Sequence, residues 1–105
     1  MGYMRHHAII VTSWDHNALD AALHQAVLLG NTCTTISVSP TNDYRTFVVV
    51  PDGSKEGWED SDKGDLARYQ LRCWIADQED GGSRFSWAEV MYGDEEGELS
   101  VRGRR

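Results

Sequence analysis

The stretch Arg5–Asn31, RHHAIIVTSWDHNALDAALHQAVLLGN, decides how the rest of the chain must fold. Its early part, Ala8–Val11, is continuously apolar and mostly β-branched, as in a strand central in a sheet or covered on both faces. Ser13 and Asp15 then offer helix caps. Leu19, Ala22, Leu23, Ala26 and Val27 recur at helical spacing and predict a helix over His16–Leu29 with one apolar stripe. Gly30 and Asn31, which tolerate positive φ, close it. One strand and one amphipathic helix cannot bury their apolar faces alone, so later segments must complete a sheet.

Those segments are legible downstream. Cys33–Ser39 is Thr-rich and alternating, which reads as a half-exposed strand. Pro40–Asp43 is turn chemistry, and Tyr44–Val50 is the next strand, so the two form a hairpin. Pro51–Ser54 ends it. A polar, acidic stretch follows over Lys55–Asp60 and holds one large apolar residue, Trp58. A second helix is predicted over Lys63–Gln78, capped by Ser61 or Asp62, with the stripe Ala67, Leu71, Trp74 and Ile75. Asp60, Asp62 and Asp65 suit the positive end of its dipole, and Gly64 weakens its first turn. Gly81-Gly82 breaks the chain, and Phe85–Tyr92 is a fourth strand. Gly93–Arg105 is acidic and then basic, and Leu99–Val101 within it could add a short edge strand to an otherwise frayed end.

This order predicts an α+β, two-layer sandwich of the ferredoxin-like βαββαβ kind, with a four-stranded antiparallel sheet and two helices on one face. Right-handed crossovers would put the first and third strands in the centre and the Thr-rich second strand at an edge. A chain of 105 residues suits one core. The expected organisation is a single domain over 1–105, with its core at about 5–93 and an acidic-then-basic tail over 94–105.

Formal net charge is −7, and three of the ten basic residues are Arg102, Arg104 and Arg105. The remainder carries seven bases against seventeen acids. Such a domain repels nucleic-acid phosphates, so direct nucleic-acid binding is not expected. The same charge suits a basic protein partner, or mimicry of nucleic acid aimed at a DNA-binding protein. Cys33 and Cys73 share no short spacing, so neither a disulfide framework nor a CxxC metal pair is present. The start holds no apolar run of secretory or membrane-spanning length, and a cytoplasmic location is expected.

Asp60-Ser-Asp62-Lys-Gly-Asp65 resembles a calcium loop only at first. From Asp60, positions 5, 6 and 12 are Gly64, Asp65 and Leu71, where acid, Gly and Glu are required. His16, Asp20 and His24 share one helix face and hold the ligand types of a divalent metal site. That face lies away from the Leu19–Leu23 stripe, so exposure is the simpler reading. His6 and His7 alternate across their strand and cannot both face one site. Cys73, beside Arg72, lacks an identifiable base. Aromatic RNA platforms built from Tyr44, Phe47, Trp87 and Tyr92 conflict with the charge. No catalytic residue, metal ligand or cofactor is assigned, and no enzyme is expected. Trp58 stands out: a tryptophan among charges and glycines either covers the core edge or anchors a partner. As an anchor it would be ringed by Glu56, Glu59, Asp60 and Asp62.

The stretch Pro51–Asp65 (PDGSKEGWEDSDKGD) resembles small uncharacterised proteins encoded by tailed bacteriophages, as do HHAIIVTS at 6–13 and WAEVMYGD at 87–94. These blocks cover a third to a half of the chain. The resemblance implies an accessory protein of the host cytoplasm and implies no catalytic residues. The basic tail has no counterpart in it.

The expected function is therefore that of a non-enzymatic, phage-type accessory protein that binds a host or phage protein of basic character. The expected surface is the acidic segment around Trp58 with the start of the second helix. The alternatives are an acidic nucleic-acid mimic and a small metal-dependent hydrolase using His16 and His24. Pairing of two copies through the sheet is compatible with such a fold by analogy.

Overall fold

A computed structural model describes residues 5–54, 57–93 and 100–104 of the chain. In chain order the elements are β1 (His6–Ser13), α1 (His16–Leu28), β2 (Ser37–Val38), β3 (Arg45–Val49), α2 (Glu59–Ala76), a 3-10 turn at Glu79–Gly82, β4 (Phe85–Tyr92) and β5 (Ser100–Arg104). The strands form one antiparallel sheet in the order β2-β3-β1-β4-β5. The class is α+β, with five strands where four were expected. The difference lies in the basic tail, which is not frayed at Ser100–Arg104. It pairs with β4, setting Val101 opposite Val90 and Arg102 opposite Glu89. Apolar contact and opposite charge across the ladder hold it there.

Strand alternation sorts the sheet into two faces. Ile9, Val11 and Ser13 of β1, Phe47 and Val49 of β3, and Phe85 and Glu89 of β4 are buried. The apolar members join Leu19, Ala22 and Ala26 of α1 and Leu71 and Ile75 of α2 in one core. The register places the alternate residues together on the other face: Ala8 opposite Val90, Ile10 opposite Val48 and Ala88, Thr12 opposite Thr46 and Ser86. Not one of these outward residues is buried. The helices thus cover one face, and among the described residues none packs over the other.

Helix α1 follows its sequence closely. Asp15 accepts a hydrogen bond from the Ala18 N–H at 3.0 Å, and Gly30 leaves the helix with φ of 100°. Asn31 Nδ2 donates to the carbonyls of Ala26 and Ala67 at 3.1 and 3.2 Å, which ties the end of α1 to α2. Val27, expected in the apolar stripe, is exposed, since the core is already met by Leu19, Ala22 and Ala26.

The other boundaries needed correction. The predicted strand over Cys33–Ser39 pairs regularly only at Ser37–Val38. Upstream, the Thr34 side-chain oxygen accepts the Val48 N–H at 2.9 Å in place of a backbone carbonyl, and Cys33 makes an isolated bridge to Val49. Helix α2 begins at Glu59, four residues before its predicted start. Neither Ser61 nor Asp62 caps it. The Trp58 carbonyl opens the helix by accepting from the N–H groups of Ser61 and Asp62 at 3.1 and 3.2 Å. Glu59, Asp60 and Asp62 then occupy the first turn, where their charge opposes the dipole. No helix is long and apolar enough to cross a membrane among the described residues.

Candidate functional site

The earlier start of α2 changes what surrounds Trp58. The segment Lys55–Asp60 was expected as a connection, yet Trp58 is the residue at the helix start and Glu59 and Asp60 are already helical. Glu56 lies outside the described residues. Positions 58, 62, 66, 69 and 73 fall on one side of the helix at three- and four-residue spacings. They are Trp58, Asp62, Leu66, Tyr69 and Cys73. The opposite side carries Ala67, Leu71 and Ile75 into the core, so this line points to solvent. Trp58 is 52% exposed, Leu66 55% and Tyr69 56%. Three large apolar side chains in sequence along one exposed helix face are more than scattered surface residues.

Acids crowd the start of this line. Glu59, Asp60 and Asp62 are all exposed, and Glu59 meets Lys63 one turn on at 3.5 Å. Within the line, the neighbouring Cys73 side chain pushes the Tyr69 ionisation up, against a smaller opposing effect of Arg72. The Arg72 guanidinium lies over the Tyr69 ring at 5.7 Å.

A second group of charges fixes α2 against the sheet. Arg68 is buried and reaches three carboxylates: Asp65 on its own helix, Asp52 from the loop after β3 at 3.6 Å, and Glu89 of β4 at 3.6 Å. Glu89 also accepts from Arg72 at 2.7 Å and faces Arg102 of β5 at 3.8 Å. A cleft of about 230 Å³ lies along this network. Burial raises the Asp52 pKa, but hydrogen bonds from the Ser54 side chain and backbone and the nearby Arg68 charge outweigh it, so the carboxyl sits below its ordinary value. Gly64 has a reason here. A Cβ on it would strike the Asp52 carboxylate and crowd Arg68.

The remaining candidates are dispersed. His16 Nε2 lies 2.8 Å from the Asp43 carbonyl, and His24 and Asp20 are exposed on α1. Among the described residues no three His, Cys, Asp or Glu side chains converge as a metal site requires. Phe47 is buried beneath the helices and Tyr92 stands on the bare sheet face, so those two rings share no platform. Cys73 is exposed, while burial pushes the Cys33 thiol up.

The sequence singles out Trp58 and its acids, whereas Leu66 and Tyr69 on the same outer face are not singled out there. Leu66 is displaced by one residue from the stripe Ala67–Leu71–Ile75, which is the signal that would have put it on the outer face. The convergence of Arg68, Arg72 and Arg102 on Glu89 had no local signal, because it joins residues up to 34 positions apart.

No protein-family model matches the chain, and comparisons with curated proteins and with solved structures return no significant match.

Proposed function

We propose that this protein is a non-enzymatic binding module that takes a basic, amphipathic segment of another protein along the outer face of α2. The observation that carries this reading is the exposed line Trp58–Leu66–Tyr69 lying beside Glu59, Asp60 and Asp62. Apolar anchors supply the affinity in such contacts, and flanking charge selects the partner and speeds the encounter. An acidic border selects Lys and Arg. The resemblance to small tailed-phage proteins supplies a setting: an accessory factor of the host cytoplasm, acting on a host or phage protein.

The architecture supports a finer reading too. We read it as ferredoxin-like, extended by β5 at the edge. The support is the strand order β2-β3-β1-β4 and the helices that follow β1 and β3. Nucleic-acid mimicry has less support, because Asp52, Asp65 and Glu89 turn toward Arg68 and Arg72 rather than forming a free row.

The test uses a synthetic peptide with Lys and Leu at amphipathic helical spacing, titrated against the full chain and followed by tryptophan fluorescence. Saturable binding that weakens with salt is expected, with loss in Trp58→Ala and in Leu66→Glu. Leu66→Glu is the informative variant, since it adds an acid and would strengthen a purely electrostatic contact. Equal or tighter binding by Leu66→Glu would reject the site.

A further inference from the structure

The bare face of the sheet departs from the usual pattern. An antiparallel sheet covered on one side normally turns polar and charged residues to water on the other. Here charged residues make up 26% of the chain. Yet the outward positions of β1, β3 and β4, and Val101 and Gly103 of β5, contain no Asp, Glu, Lys or Arg. The inward positions of the same strands hold Arg45, Glu89 and Arg102. The charges are thus found on the side that faces the helices.

Two pairs of polar side chains meet on this face. Thr12 and Thr46 hydroxyls pair across strands at 2.8 Å, and the His6 and Tyr92 rings lie 5.2 Å apart. Between them runs a shallow apolar trough in which Ala88 and Gly103 form the floor and Ile10 and Val101 the walls. Ile10 is 41% exposed and Val101 63%.

We infer that this face is a self-association surface, on which a second copy of the chain packs sheet against sheet. The occupant follows from the charge. A charged partner would be matched by opposing charge on this face, and among the described strand residues that point outward there is no Asp, Glu, Lys or Arg. A second copy carries the same net charge of −7, and approach without added repulsion needs a contact surface free of acids. A two-fold pairing places the same patch on both sides, which an uncharged face permits. At about 3.3 Å per residue and 4.8 Å between strands, the sheet presents about 450 Å² in projection, or about 900 Å² for the pair, a size that fits a weak, reversible dimer. This surface lies on the opposite side of the sheet from α2, so the inference stands apart from the proposed binding line.

Sedimentation equilibrium of the full chain tests it. The wild type is expected at twice the 11.8 kDa chain mass. Ile10→Lys, on the central strand, and Val101→Glu, on the edge strand, each place a charge on the contact face and are expected at the monomer mass with unchanged circular dichroism. Leu66→Glu, on α2, should remain dimeric. Where Ile10→Lys fails to fold, Val101→Glu decides, since its side chain is the more exposed. A monomeric wild type up to about 200 μM, well above the micromolar constants of ordinary pairs, overturns the inference and leaves the face to some other partner. Dimers that survive both sheet variants, or that dissociate in Leu66→Glu, overturn it equally.

Discussion

The Arg72 guanidinium on α2 donates to the Glu89 carboxylate on β4 at 2.7 Å, and that carboxylate is buried. Arg68 and Arg102 approach the same group from the helix and from the edge strand. One acid thus joins three elements and sets the position of α2 on the sheet, and with it the direction of the outer line that starts at Trp58. Glu89→Gln removes the charge that Arg72 meets at 2.7 Å and one of the three carboxylates around the buried Arg68. A loss of about 2–4 kcal/mol is expected in urea denaturation. Arg102→Ala, which removes the exposed member, should cost under about 1 kcal/mol.

Gly82 is required by its backbone. Its φ is 81°, and a Cβ there would stand 2.6 Å from the Ile75 carbonyl oxygen. Gly82→Ala should therefore cost about 1–3 kcal/mol, with a lower melting temperature. Gly30 has φ of 100° but open space around it, so Gly30→Ala should cost about 1 kcal/mol. Thermal unfolding of both variants checks the order.

Asp52 makes stability depend on acid. Its carboxyl is held below its ordinary value in the folded chain, so it stabilises the fold while ionised. That contribution is present above about pH 4 and is lost as pH falls through the lowered folded value. Asp52→Asn should flatten this part of the stability profile. Gly64→Ala should have the same effect by displacing the carboxylate. It should also fail to yield the stabilisation of about 1 kcal/mol that Gly to Ala brings in an ordinary helix. A pH series of chemical denaturation reads both.

Cys73 and Cys33 should react differently. Cys73 is exposed on the outer face of α2, and Cys33 is half-buried with its thiol pushed up. At pH 8 a maleimide should label Cys73 first, because it is accessible while burial disfavours the Cys33 thiolate. Labelled protein should then lose the Lys–Leu peptide, since the adduct sits beside Tyr69. Retention of full peptide binding after stoichiometric labelling at Cys73 would separate that residue from the binding line.

Much of the fold was legible in the sequence because it rests on local periodicity. Leu19, Ala22 and Ala26 mark α1 by their spacing, and Asp15 caps it as its residue type suggests. Phe85–Tyr92 is a strand with the predicted bounds. The misplaced boundaries have a common cause. At Thr34 a side chain takes the place of a backbone acceptor, and at Trp58 a backbone carbonyl opens a helix that Ser61 was expected to cap. Side-chain type does not reveal which of these alternatives a neighbouring strand or dipole will favour.

By itself the sequence determined the order of strands and helices, the apolar stripes that meet in the core, and the presence of a tryptophan among acids. These depend on neighbours three or four residues apart. Tertiary structure decided the rest. It decided that the basic end pairs with β4 as a fifth strand, that Glu89 gathers Arg68, Arg72 and Arg102, and that Leu66 and Tyr69 extend the line from Trp58. It also left one sheet face without cover or acidic and basic side chains among the described residues. Each of these is set by which distant residues the fold brings within a few ångströms, and charge and apolar surface act over that distance wherever the chain has placed them.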